Sequence, residues 1–557
     1  MSPQLASLIE NVLATKSRFS SAPQQLARFM RGTEGLDNFD NKQRQLMAVI
    51  TLTDVSEIKL ILDLANQCAK DEKLAFSLYP ISTGNNWGYG TSQPTGLANN
   101  IILLDLGRLT KITHFDSELG LVTIEPGVTQ QQLSDFLHQH NHDYMVPVTG
   151  AGPSCSLLAN ALERGYGITP YTDHFSAVTS IQGYWANGRP YQSAVYELDA
   201  SEEKLVDKTF KWGLGPYLEG LFTQSNLGIV SQMTLRLAKI KPDFTSFFIQ
   251  MADDSLLEAA VPLIREVLQD YEGIVGSINL MDQRRLLSMF AKNPNGNDAH
   301  QVMLSNDINK LASELRAPSW TIVGSIYGSS RVVKVVKKEI DDIFKQLPCK
   351  RIYSNSLSII LANKTIDILP AWLINKVPML TTIAEQLDSF NKGKDIMLGK
   401  PNKVALKLAY WRHKDADGFD KDKLSPGQDG CGLLWYAPLI PMKANKMREF
   451  VEFIRAICPK FNIEPFITFT NLKHDCVDST IPIVFDLSNP KAVNDAHNCL
   501  KMLVEQGLKK GFVPYRLNID QQQWLLNKDS DFWQTVNQLK SSLDPNNILS
   551  QGRYNPN

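Results

Sequence analysis

The spacing of apolar residues changes period several times along the chain. Between residues 47 and 140, short β-rich runs alternate with helical spacings. The run at 47–51 (MAVIT) predicts a strand. Ile58, Ile61, Leu62 and Ala65 then recur at helical spacing, with Asp54 or Ser56 as the cap. Strands are predicted at 100–106 (NIILLDL) and at 121–125 (LVTIE), the latter stopped by Pro126-Gly127. Thr129 opens a helix striped by Leu133, Phe136 and Leu137, with Gln132 at the capping-box position. The strand at 229–237 alternates Met233, Leu235 and Leu237, and a proline break follows within 239–243. Beyond it, Asp253 or Asp254 caps a helix bearing Leu256, Leu257, Ala260, Leu263 and Val267. Strands are predicted at 277–282, 321–328 and 356–362, a helix at about 331–346, and a polar Gly/Asp/Lys-rich loop at 413–432.

These shifts predict a two-domain α+β protein. The second of these domains is placed at about 239–500. The 557 residues suffice for several cores. With 57 Lys and Arg against 58 Asp and Glu, the formal charge is −1, which gives no basic surface suited to nucleic acid. No apolar run approaches the roughly 18–20 residues of a membrane span, and the N-terminus lacks the pattern of a secretion signal. The seven cysteines contain no CxxC pair, so the expectation is a cytoplasmic protein with reduced thiols. His138, His140 and His142 end a polar helix with no accompanying ligand cluster, and read as a solvated helix end.

Three stretches carry more glycine and small polar side chains than ordinary turns need: 80–90 (PISTGNNWGYG), 148–174 and 213–230. In the first, glycines at 84, 88 and 90 admit close approach of backbone to ligand, and successive amides there suit a pyrophosphate. None of the three is a Rossmann G-x-G-x-x-G or a P-loop.

PISTGNNWGYG, PGV (126–128), TPYTDH (169–174), GLFTQSNLGIV (220–230) and the tail LDPNNILSQGR (543–553) together resemble the vanillyl-alcohol oxidase and p-cresol methylhydroxylase flavoprotein family. The resemblance is strongest over 78–237 and 505–553. It implies a PCMH-type FAD-binding domain made from residues 1–238 plus a return over 501–557, and a central cap domain over the flavin at 239–500. The implied FAD contacts are Ser82, Thr83, Gly84, Asn85, Asn86 and Gly88 in the first loop, with Thr149, Gly150, Ser156 and Asn160 in the second cluster. Tyr171, Asp173 and His174, then Gly228, Ile229 and Val230, extend the set, and Arg553 matches the family arginine beside flavin N1. A cation there stabilises the negative charge of the reduced ring. The competing reading of Arg553 is a surface salt bridge.

Tyr89, Tyr515 and Arg516 match the family's phenol-binding trio. Ionising a phenol of pKa near 10 at pH 7 costs about 4 kcal/mol. A neighbouring guanidinium and two tyrosine hydrogen bonds lower that cost. A para-substituted phenolate then expels a benzylic hydride readily, through a quinone methide. The competing reading packs Tyr515 in the core and pairs Arg516 with a carboxylate.

The sequence departs from the family where covalent flavin attachment occurs, with Leu433 and Asn85 in place of the linking residues, which implies non-covalent FAD. Ala151 and Thr468 stand where relatives carry acids, which favours desaturation or another two-electron oxidation over hydroxylation. Cys155 reads as a small buried residue. The expected function is an FAD-dependent oxidase or dehydrogenase of a para-substituted phenol. Oxygen or a separate protein accepts the electrons, and a homo-oligomer is implied. The alternatives are a flavoenzyme acting on a 2-hydroxy acid or a specialised biosynthetic intermediate, and a flavin-binding protein without turnover.

Overall fold

The computed structural model describes residues 1–556 apart from 15–17, 36–45, 86–87, 95–99, 297–299, 356–365, 367–377, 414, 421 and 520. The predicted strand at 356–362 and the predicted contact Asn86 lie outside the described residues.

Two sheets form the N-terminal part. In the first, strands Arg18–Ser20, Leu46–Thr51, Ile101–Asp105 and Ser77–Ile81 lie side by side in that order, the last three parallel. Helix Glu57–Cys68 covers this sheet with Ile58, Ile61, Leu62 and Ala65, all fully buried. Neither Asp54 nor Ser56 caps it by the expected route. Asp54 accepts from Ser56, while the Glu57 carboxylate takes the N–H groups of Thr53, Asp54 and the distant Ala14. The second sheet is antiparallel, in the order Ile112–Asp116, Leu121–Ile124, Gly228–Arg236, Val178–Trp185, Pro190–Tyr191. Helix Gln130–Gln139 packs against it, and its capping box forms as predicted: Thr129 Oγ1 accepts from Gln132 N–H, and Gln132 Oε1 from Thr129 N–H.

The third sheet has nine strands and is built from the middle of the chain. Its order runs Cys349–Tyr353, Asp243–Met251, Trp320–Gly328, Ile278–Asp282, Thr468–Asn471, Cys476–Asp486, Pro438–Pro441 and Val513–Pro514, with Cys431–Tyr436 also pairing Cys476–Asp486. Helices Leu257–Asp270, Ser330–Ile343, Ala444–Ile457 and Pro490–Lys509 bury their apolar stripes with one face of it in the largest core. Residue 500 falls inside the last helix, and 513–514 are a strand of this sheet, so the chain leaves it only after Pro514. Asp253 caps the one-turn 3₁₀ segment before Leu257; Asp254 instead holds Arg448 and Arg455.

The tail then returns to the first sheet. Leu78 N–H donates to Ile548 O at 2.7 Å and Ser550 N–H to Leu78 O at 2.8 Å. Buried Lys540 ties this return together, donating to Asp544, Asn226 O and Leu549 O. The other face of the nine-stranded sheet is thereby left opposite the glycine-rich loops, with a cavity of about 830 Å³ between them.

Candidate active site

One half of this cavity is backbone. Ser82–Asn85, Thr149–Ala151, Ser156, Asn160 and Gly228–Val230 line it, joined by Ser550 and Arg553 of the tail. Gly84 has φ +68°, and a Cβ built on it would meet only Ile81 Cδ1, at 3.5 Å; one on Gly150 would meet only Ala405 Cβ, at 3.3 Å. Side chains at these points would project into the cleft, so the loops present bare peptide to it. This is the surface a dinucleotide pyrophosphate and ribityl chain require, and the residues fit FAD. Ser156 fixes the second loop by donating to Pro126 O at 2.6 Å and accepting from Ala159 N–H.

Some expected contacts stand elsewhere. Gly88 lies beneath the first loop at φ +83°, donating to Thr33 and Glu34, and a Cβ there would strike the Trp435 ring. Tyr171 and Asp173 are exposed and off the cavity wall; Asp173 serves Ser176. His174 is buried one layer behind, 2.5 Å from Asn160 Nδ2, and burial pushes its pKa down to about 4, so the ring is neutral.

The other half of the cavity brings Tyr89, Tyr515 and Arg516 together from segments more than 400 residues apart. Tyr89 O accepts from Ile519 N–H at 2.8 Å, while Tyr515 N–H donates to Ala437 O and Tyr515 O accepts from Gln224. The Arg516 guanidinium sits 4.3 Å from the centre of the Tyr89 ring, and the Tyr166 and Tyr515 rings are 5.9 Å apart. Burial raises all three phenols, Tyr89 to about 12 against the opposing pull of Arg516, so each is a neutral donor at pH 7.

Arg516 does pair with a carboxylate, and this carboxylate belongs to the same cavity. Glu163 Oε2 lies 3.2 Å from Arg516 Nε, and Glu163 Oε1 accepts from Arg553 Nη2. Arg553 is thus not a surface residue: its side chain is 13% exposed and also reaches Tyr79 Oη and Thr91 O. The group carries two guanidiniums and one carboxylate, so about one positive charge remains. Glu163 ends the six-residue helix Leu157–Leu162, in the second glycine-rich stretch, with no local sign of its role.

Asp478 was also unforeseen. It is 4% exposed, its Oδ1 has no hydrogen-bond partner, and burial raises its pKa far above the carboxylate range, opposed by the neighbouring Tyr166 hydroxyl. The expected departures hold places around the cavity: Ala151 and Thr468 line it, whereas Leu433 is fully buried in the strand Cys431–Tyr436. Cys155 is buried and lines the wall, its thiol pushed up by burial. Among the described residues no helix is long and apolar enough to cross a membrane.

A model of the FAD binding domain family matches residues 47–192. The chain is 28% identical over 481 residues to the 1'-carboxy-chondrochloren decarboxylase of Chondromyces crocatus, covering 86% of this chain and 85% of that one. It is 24% identical over 520 residues to the flavoprotein subunit of the hydroxylating 4-cresol dehydrogenase of Pseudomonas putida, covering 92% and 88%. Its fold matches a substrate-bound p-cresol methylhydroxylase with a TM-score of 0.83, at 22% identity over 100% of this chain and 96% of that one. A 4-ethylphenol oxidase from Gulosibacter chungangensis, in complex with isoeugenol, gives 0.82 at 19% identity, over 100% and 98%. Together with a cleft shaped for the cofactor, these similarities make the chain an FAD-dependent oxidoreductase with an FAD binding domain over residues 47–192 and the fold of p-cresol methylhydroxylase.

Proposed function

We propose that the enzyme oxidises a para-substituted phenol by removing a hydride from its benzylic carbon. The observation that carries this reading is the convergence of Tyr89, Tyr515 and Arg516 on one end of the cavity. Two neutral hydroxyls and a guanidinium, out of bulk water, form the donor set a phenolate oxygen needs. The phenol's proton is released to solvent, while Asp478, off the cavity wall beside Tyr166, has its pKa raised by burial well above the carboxylate range. Bound FAD would supply the hydride acceptor. Arg553 is the cation for the cofactor end, and Glu163 positions it together with Arg516.

Two relatives with whole-chain similarity bear the names of para-alkylphenol enzymes, which supports the substrate class. Loss of hydride leaves a neutral quinone methide. With no acid at Ala151 or Thr468 to activate water, the next carbon loses a proton to solvent, and its C–H bonding pair becomes the new double bond as the ring returns to phenolate, which completes a desaturation. A second course is favoured by the relative named as a decarboxylase. If that next carbon bears a carboxylate, its C–C bond breaks, carbon dioxide departs, and the bonding pair becomes the new double bond as the ring returns to phenolate.

We further propose that FAD is held without a covalent bond, since Leu433 and Asn85 occupy the anchoring positions. Residues 1–238 with the tail form its domain, and the middle of the chain forms the cap. Electrons pass to oxygen or to a separate acceptor protein. The buried unpaired thiols of Cys68, Cys155, Cys431, Cys458 and Cys499 suit the reducing cytoplasm.

The test is anaerobic titration of the holoenzyme with para-alkylphenols and para-hydroxybenzyl alcohols, following bleaching of the flavin spectrum. Tyr515→Phe and Arg516→Met should each slow bleaching by about 10- to 1,000-fold, the range for losing a hydrogen bond or charge at developing negative charge. Unchanged reduction rates would remove the phenolate role.

A further inference from the structure

Beyond the phenol end, among apolar side chains such as Phe248, Met281 and Val323, the cavity wall carries polar groups that an alkylphenol would not use. The nine-stranded sheet turns two adjacent cross-strand rows toward it. Thr321, Met281, Thr468 and Thr480 are successive register partners in one row, and Val323, Asn279, Thr470 and Asp478 in the other. Asn279 Oδ1, Thr321 Oγ1 and Thr468 Oγ1 are buried with no hydrogen-bond partner, although a native fold leaves few such atoms unpaired. The rows run from Asp478, at the tyrosine end, across two strand spacings of about 5 Å each to the strand Ile278–Asp282.

That strand leads directly into helix Gln283–Phe290, which opens with two arginines of opposite fate. Arg284 turns away from the cavity and is paired with Glu464 at 2.7 Å. Arg285 lines the cavity, and Ser288 Oγ, at 3.1 Å, is the one side-chain partner of its guanidinium among the described residues. Asp282, the carboxylate at the helix N-cap, uses its Oδ1 to accept from the N–H groups of Arg285 and Ile467. Among the described residues no carboxylate pairs with this desolvated guanidinium, which is expensive, and burial pulls the pKa of Arg285 down to about 10 against the opposing charge of Asp282. It remains a cation at neutral pH.

We propose that Arg285 is the receptor for a carboxylate on the substrate. The substrate is therefore a para-hydroxyphenyl compound whose side chain ends in an acid, with polar atoms of that chain bonded to Asn279, Thr321 and Thr468. This deepens the phenol reading and rests on it for the orientation of the ligand. The phenol oxygen lies at Tyr89, Tyr515 and Arg516, and the side chain crosses the sheet rows toward Arg285. A planar guanidinium binds carboxylate through two parallel hydrogen bonds, which a lysine does not reproduce.

The experiment is calorimetric titration of the holoenzyme with 3-(4-hydroxyphenyl)propanoate and with its neutral amide, repeated with 5-(4-hydroxyphenyl)pentanoate and its amide. In the wild type, at least one acid should bind tenfold or more tightly than its own amide. In Arg285→Met the ratio should fall below threefold, and Arg285→Lys should recover part of it. Equal binding of acid and amide in the wild type, for both chain lengths, would overturn the proposal even if the variants fail to fold. So would an acid preference that survives in Arg285→Met. The failure of the phenol reading looks different. 3-Phenylpropanoate and 5-phenylpentanoate would then show the Arg285-dependent preference over their amides, while none of the phenols bleaches the flavin.

Discussion

Glu163→Gln separates two effects that a buried ion-pair network usually confounds. The substitution keeps the side-chain shape and removes the one negative charge between Arg516 and Arg553. A phenolate bound on the far side of Arg516 would lie roughly 7 Å from that carboxylate. At an effective dielectric constant of about 20, two like charges at that distance repel by about 2.4 kcal/mol, equivalent to about 1.7 pKa units. Glutamine at 163 should therefore lower the pKa of a bound phenol by between about one and two units. The folded protein pays for this in stability. Two nearly buried guanidiniums, 8% and 13% exposed, lose their counter-charge, and breaking a pair of this kind costs about 3–5 kcal/mol. The assay is a pH titration of bound 4-hydroxybenzaldehyde, whose phenolate absorbs at longer wavelength than the phenol, alongside urea unfolding of the same two proteins. Weaker folding together with tighter phenolate binding is the expected pair. A bound phenol whose pKa is unchanged or raised would show that Glu163 does not act on the site electrostatically.

Asp282 gives a pH effect of defined sign. Burial raises its pKa to about 6, against opposing hydrogen bonds from Ile467 and Arg285, so the folded state binds its proton more tightly than the unfolded chain does. Its contribution to stability is complete below pH 4 and is lost as pH rises through 6. A shift of about two units is about 3 kcal/mol. Asp282→Asn should therefore gain on the wild type by about that amount between pH 4 and 7 in urea unfolding; a constant difference would contradict it. Asp544→Asn should destabilise the tail by about 3–5 kcal/mol. This carboxylate is fully buried, accepts from Lys540, Ile548 and Leu549, and holds the return strand against Leu78, so loss of FAD should accompany the lower unfolding midpoint. Acid precipitation of the holoenzyme should leave all the yellow colour in the supernatant; a coloured pellet would show a covalent flavin.

What could be read from the chain divides by range of interaction. The capping box of Thr129 and Gln132 is complete within four residues, and both the motif and its hydrogen bonds were legible. The helix beginning at Glu57 was legible only as a stripe: its cap is a carboxylate that also holds Ala14, 43 residues away. The glycine-rich loops announced a cofactor because bare backbone is a local property. Within TPYTDH, however, the motif did not distinguish His174, packed behind the wall, from exposed Asp173. The charged groups that decide chemistry were the least legible. Glu163 meets its arginines 353 and 390 residues later, and Asp478 looks like the polar position of an alternating strand until Tyr166 is brought beside it. Arg284 and Arg285 carry the point furthest. They are identical and adjacent, yet the helix turns one to Glu464 and the other into the cavity. A pattern of residue types names the chemistry a site can hold; which of two equal charges holds it is fixed only when distant strands close the wall around them.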